Sequence, residues 1–311
     1  MQRAIRVSKW LVIILAATAL ALAAEAAPKL RVVATTTDLR SLAEAVGGEL
    51  IEAVNLIPAG IDHEAFEPHP ADLLKLRGAA AMVRVGLGYD HWLDKLLHEN
   101  GDPVLMRGGA GYIDASLGIP LLEMRGRSAA PQDGHAHGVG NPHYWLDPAN
   151  AETITAAIAE GLIGVAPGLG EQLIDHRRKF LAVLSERMAA WESTLAPHAG
   201  AAIVVYHNSW PYLARRFRLN VVGIIEQKEG VAPSPAHLAR LVRIIGEARV
   251  RVIVREPFEP DDAPRLLARR TGAQVRVLAP SVGSLAEAGD YLSLFDYNVR
   301  QLARGLAAAG E

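Results

Sequence analysis

The sequence predicts an α/β protein with largely parallel sheets, arranged as two halves around one long helix. Two observations lead there. Short β-branched runs alternate with longer helical patterns, and a mid-chain stretch breaks the alternation before it resumes. With 311 residues, half of them hydrophobic, the chain has room for two ordinary domains and a core that needs no covalent staples.

Taken in order, Arg3, Arg6 and Lys9 precede an apolar run from Trp10 to Ala24 and the small-residue stretch Ala23–Ala27. That layout predicts a secretory signal over residues 1–26, with an Ala-x-Ala site at Ala24-Glu25-Ala26. The rival reading, a membrane anchor, would need roughly 20 apolar residues. Leu30–Ala34 reads as a strand, and Asp38 then opens a helix as an N-cap candidate. Strands follow at Leu50–Asn55 and Ala81–Val85, with a helical segment from Pro70 to Arg77 between them. Ala149–Val165 is helical. After the stop at Pro167, Gly168–Leu195 reads as one helix on the order of 40 Å long. Its Leu173, Phe180, Leu184, Met188, Trp191 and Leu195 form an apolar stripe at three- and four-residue spacings. Ala202–Val205, Val221–Ile225, Val250–Val254 and Gln274–Leu278 are strands of the second half, with helices near 209–217, 234–247 and 260–270. The expected organisation is a lobe over 27–166, a linking helix over 167–198 and a lobe over 199–311. The stretch 125–140 (RGRSAAPQDGHAHGVG) has no periodicity and reads as a loop.

Composition narrows the chemistry. There is no cysteine, which removes disulfides, thiolate metal sites, a thiol nucleophile and a lipid-modified N-terminal cysteine. Any metal site must use imidazole and carboxylate. A formal charge of −2 argues against a nucleic-acid partner, which would call for a basic excess. Histidines gather at His63 and His69, at His135, His137 and His143, and at His207, which closes a strand where α/β sheets present ligand-contacting groups. His63-Glu64-x-x-Glu67 imitates a metalloprotease helix. It lacks the second histidine, however, and Pro68 follows at once, so that reading is rejected. No Gly-x-Ser-x-Gly elbow or Walker loop is present.

Five stretches in order carry a family resemblance: Ala34-Thr35-Thr36-Thr37-Asp38-Leu39; Asp62–Pro68; Asn141–Pro148 (NPHYWLDP); Tyr206–Leu219 (YHNSWPYLARRFRL); and Arg255-Glu256-Pro257 with Gly289-Asp290-Tyr291-Leu292. Together they make nearly the whole mature chain resemble the periplasmic metal-binding proteins of zinc and manganese ABC transporters. The resemblance implies two Rossmann-like lobes joined by one rigid helix, with a metal ion held in the cleft between them. It also implies a non-enzymatic, monomeric carrier that hands its ion to a membrane permease subunit, with only small motions on loading.

The family site has four ligands, and His143 and His207 match two of them. Where the family usually has histidine this chain has Glu64, with His63 one step earlier as the fallback. The family's fourth ligand, an Asp, would fall near Ala279, which cannot coordinate, so Glu256 at a strand end becomes the substitute. His135 and His137 resemble the His-containing loop of zinc-binding members and are expected to give accessory binding. Two imidazoles with carboxylates suit Zn2+, while added oxygen ligands favour Mn2+. Binding is expected to weaken below about pH 6.5, the ordinary titration range of histidine. The rival classes are a zinc hydrolase with Glu64 or Glu67 as general base and an adhesin whose metal only stabilises the fold. With no cysteine to lipidate, a freely diffusing periplasmic protein is expected.

Overall fold

The computed structural model describes residues 28–123, 140–228 and 230–307. The signal-peptide segment and both His135 and His137 lie outside those residues.

Two four-stranded parallel sheets form the framework. The first contains β1 (Leu30–Ala34), β2 (Ile51–Asn55), β3 (Ala81–Arg84) and β4 (Tyr112–Asp114), in the order β2-β1-β3-β4. The second contains β5 (Ala202–Val205), β6 (Asn220–Ile224), β7 (Val252–Arg255) and β8 (Gln274–Val277), in the order β6-β5-β7-β8. Every pairing is parallel, with Val33 opposite Val54 and Met82 in the first sheet and Val204 opposite Ile253 in the second. Parallel strands are covered on both faces, so they read as continuous apolar runs. Val32, Val33, Ala34, Val204, Val205 and Val252 to Val254 are indeed fully buried. In each sheet the strand order reverses beside the first strand. The carboxyl ends of β1 and β3, and of β5 and β7, therefore border the crevices in which such sheets bind ligands.

The helices are α1 (Thr37–Gly47), α2 (Asp72–Leu76), α3 (Leu93–Asn100), α4 (Asn150–Val165), α5 (Gly170–Leu195), α6 (Pro211–Arg216), α7 (Pro235–Glu247), α8 (Asp262–Thr271) and α9 (Tyr291–Ala307). One expectation fails at α1. Thr36, not Asp38, caps that helix, its extended backbone letting the hydroxyl accept from the Leu39 N–H. Asp38 is fully buried in the first turn, where it accepts the Val282 N–H at 3.0 Å from the second half of the chain. The long helix α5 has 26 residues, about 39 Å at 1.5 Å each. It buries Leu173, Leu184, Trp191 and Leu195, with Phe180 and Met188 half-buried. It packs on α1 and α4 of the first half and on α9 of the second, where the Trp191 indole N–H reaches Asp296 at 2.8 Å.

Other bonds also join the two halves close to the crevice. The Trp145 indole donates to the Pro280 carbonyl at 3.0 Å, and the Tyr291 hydroxyl donates to the Trp145 carbonyl at 2.6 Å. Buried Asp147 receives Arg216 at 2.7 Å and Arg215 at 3.3 Å. Among the described residues, no helix is long and apolar enough to cross a membrane.

Candidate metal centre

Three loops aim one side chain each at a common point. Glu64 follows β2 in a turn fixed by Asp62, whose carboxylate accepts the Glu64 N–H at 3.0 Å. Residues 63–67 form turns rather than a helix, as the Pro68 argument required. His143 stands between Pro142 and the 3-10 turn Tyr144–Leu146. His207 lies two residues beyond the end of β5.

Glu64, His143 and His207 each offer a ligand atom within 4.8 Å of the others. His143 Nε2 is 3.4 Å from Glu64 Oε1, and His207 Nε2 is 3.0 Å from Glu64 Oε2. Ligands bound tetrahedrally at 2.0–2.1 Å stand about 3.3 Å apart, close to the separation of the Glu64 carboxylate from each imidazole. All three side chains are almost inaccessible, at 5, 6 and 10% exposure for His143, Glu64 and His207. They line a cavity of about 420 Å³ shared with Glu226, Glu256 and Trp145.

The remaining predicted residues lie around this cluster rather than in it. Glu256 is buried directly after β7, but its Oε1 accepts the Ser209 hydroxyl at 2.6 Å and it stands outside the three-ligand group. Burial raises the Glu256 carboxyl, while the nearby His207 and Ser209 oppose that rise. Glu259, which receives the Glu256 N–H, is raised by burial and by the Glu256 charge. His63 also lines the cavity and also stands outside the cluster, its ring 6.4 Å from that of Trp145. Its Nε2 has no hydrogen-bond partner among the described residues, and burial pushes its pKa down to about 4, leaving it neutral. Ala279 is fully buried, with its backbone N–H and carbonyl both taken by the Asn298 side chain.

Sequence reasoning missed the group that most alters the electrostatics. Glu226, two residues beyond β6, accepts from His207 Nδ1 at 2.8 Å and from the Gly230 N–H at 2.9 Å. Its signal was positional: β6 lies beside β5, so their carboxyl ends adjoin. Burial disfavours charge on His207, but hydrogen bonds to Glu226 and Glu64 and the fields of Glu64 and Glu256 push its pKa up to about 12. An ordinary imidazole titration near pH 6.5 therefore does not describe His207, whose proton the surrounding carboxylates hold. The cluster offers two imidazole nitrogens and one carboxylate to a cation, with further carboxylates to offset its charge.

The chain matches the family model described as zinc-uptake complex component A, periplasmic, over residues 32–305. A crystal structure of ZnuA superposes with a TM-score of 0.76 at 26% identity, covering 90% of this chain and all of that one. A Treponema pallidum (strain Nichols) protein named for metal binding without a specified ion is 29% identical over 254 residues, 80% of this chain and 79% of its own length. The manganese-binding lipoprotein MntA of Halalkalibacterium halodurans is 23% identical over 284 residues, 89% of each chain.

Proposed function

Because this chain belongs to the periplasmic zinc-uptake component A family, whose members are solute-binding proteins and not enzymes, we propose that it captures one zinc ion between Glu64, His143 and His207 and releases it to a membrane permease. At the coarser level it is a metal-binding substrate-binding protein of ABC metal uptake. The observation that carries the proposal is the convergence of Glu64, from the first half of the chain, with His143 and His207, from either side of α5, at separations of 3.0 and 3.4 Å.

Two imidazoles against one directly placed carboxylate favour zinc, and manganese is the alternative, supported by the manganese binder among the relatives. Glu256 and His63 stand as reserve donors that reach the ion only if their side chains turn toward it. We assign residues 1–26 to a cleaved export signal, 27–166 and 199–311 to the lobes and 167–198 to the linking helix. The mature protein diffuses as a monomer without a lipid anchor, unlike the lipoprotein relative, because no cysteine exists to carry one. His135 and His137 serve as accessory zinc-gathering ligands.

Metal analysis of the exported protein together with calorimetric titration tests the reading. One tight zinc site, lost in the His143→Ala/His207→Ala double variant, is expected. Tight binding that survives the double substitution refutes it.

A further inference from the structure

A metal-ligating histidine almost always has its other ring nitrogen held by a hydrogen bond, which sets the tautomer and the ring plane. For His207 that role falls to Glu226. For His143 it falls to a neutral side chain, Asn141, whose orientation is forced. The Asn141 amide nitrogen donates to Glu123 Oε2 at 3.1 Å and to the Asn208 carbonyl at 2.9 Å. Both partners are pure acceptors here, so the amide cannot be turned round. Its oxygen must accept, and it does so twice, from the His143 backbone N–H at 3.0 Å and opposite the His143 ring Nδ1 at 3.1 Å. An amide oxygen has no proton to give, so Nδ1 carries the hydrogen, and Nε2 is the nitrogen turned toward Glu64 and the cavity.

The same contacts bridge the two halves of the molecule. Glu123 Oε2 also accepts from the Asn208 side-chain amide at 2.8 Å, and Asn208 directly follows His207. Glu123 sits at φ 52°, a left-handed conformation that non-glycine residues adopt only when their surroundings hold them there. The two amides supply that hold. Asn141 itself is 7% exposed, and its carbonyl accepts from the Tyr212 hydroxyl at 3.0 Å.

We propose that Asn141, braced by Glu123 and Asn208, is a positioning residue of the metal centre: it fixes the tautomer and ring plane of His143 and ties His143 to His207 across the two halves. The inference rests on the zinc-binding reading above. It predicts that the acceptor oxygen matters more than the amide donors, and that the Glu123 brace acts on metal affinity from outside the ligand set.

The test combines zinc affinity with long-range 15N–1H NMR of the histidine rings in the zinc-loaded full chain. Metal-free melting temperatures report whether each variant folds. In the unsubstituted protein, His143 should show a slowly exchanging Nδ1–H and a metal-bound Nε2. N141L, which has no acceptor, should lose that Nδ1–H signal and bind zinc roughly 10- to 100-fold more weakly, the range for outer-shell partners of metal ligands. N141D keeps the acceptor and should retain the signal. E123A, altered at an exposed side chain, should fold normally and bind several-fold more weakly. N141L with unchanged affinity and ring signals overturns the proposal, as does N141D failing to the same degree as N141L. E123A at full affinity removes Glu123 from it. Failure of the unsubstituted protein to bind zinc overturns the functional reading instead, so the two failures are distinguishable.

Discussion

Asp38→Asn should stabilise the protein at pH 8 and by far less at pH 5, with no gain from this source below about pH 4. Asp38 is fully buried, with one oxygen on the Val282 N–H at 3.0 Å and the other, Oδ2, without a hydrogen-bond partner among the described residues. Burial raises its carboxyl from 3.8 to about 7, against the lowering effect of the Val282 N–H and its own backbone N–H. Between those values the folded protein holds a proton that the unfolded chain gives up, so stability falls as pH rises through this window. At 1.36 kcal/mol per pH unit, the full penalty above pH 7 is about 4 kcal/mol, and it vanishes below about pH 4. Asparagine removes the ionisation while keeping an oxygen for Val282. Exchanging a charge-assisted for a neutral hydrogen bond gives back about 1 kcal/mol. The expected net gain is about 3 kcal/mol at pH 8, a rise of about 1 M in urea midpoint for a slope near 3 kcal/mol/M. Urea titrations of both proteins at pH 5 and pH 8 measure it. Equal effects at the two pH values, or a loss at pH 8, would refute the argument that Asp38 is held against its ionisation.

Other outcomes follow from the same geometry. If the proposed site holds zinc, the ion takes the Nε2 position of a His207 pushed up to about 12, so binding between pH 6 and 8 should release about one proton, and log affinity should rise by about one per pH unit. Calorimetry in buffers of different ionisation enthalpy checks this, and release of no proton would contradict it. Glu226→Gln should reduce the proton release, because a neutral amide holds the His207 proton less firmly, yet weaken zinc binding by roughly tenfold, because Nε2 loses the basicity that a carboxylate on Nδ1 lends it. Arg84 is buried against fully buried Asp90 at 2.9 Å and also reaches Tyr112 at 2.7 Å. Arg84→Met strands a buried carboxylate and should lower stability by about 3–5 kcal/mol in urea denaturation.

The framework was legible because seven of the eight strands carry valine, and the central strands β5 and β7 are near-continuous apolar runs. The exception is β4, only three residues long after the glycines at 108, 109 and 111, too short to show any period. Helix α9 escaped because its start depends on Asp290, whose side chain accepts the Leu292 and Ser293 N–H groups, and that segment was used only as a resemblance. Asp38 was misassigned for a physical reason. An aspartate beside a helix start is normally a cap, but here a hydroxyl one turn edge earlier fills that role and frees the carboxylate for a partner 244 positions away. The two histidines and Glu64 came from resemblance, since spacing alone left each histidine a structural candidate and Glu64 only part of a rejected protease-like motif. Glu226 and Asn141 act through side chains brought together by tertiary structure, and no local pattern marks them.

In the proposed site, the choice between zinc and manganese is expected to turn on Glu64. A carboxylate there lets the ion be bound by one or two oxygens, and the buried Glu256 stands nearby with its carboxyl held by Ser209. Manganese gains from extra oxygen ligands, whereas zinc gains from nitrogen and from a closed tetrahedral shell. Glu64→His would place a third imidazole at the position where the separations to the other two are already 3.4 and 3.0 Å. It would also remove one of the carboxylates that hold the proton on His207, so less proton competition opposes binding. Both effects act in the same direction for zinc, while manganese loses its hardest donor. The variant should therefore bind zinc at least as tightly as the unsubstituted protein and manganese about tenfold or more weakly, measured by competition titration at one pH. If manganese affinity is unchanged, Glu64 is not the residue that sets the preference, and selection must lie with Glu226 and Glu256, which also line the cavity.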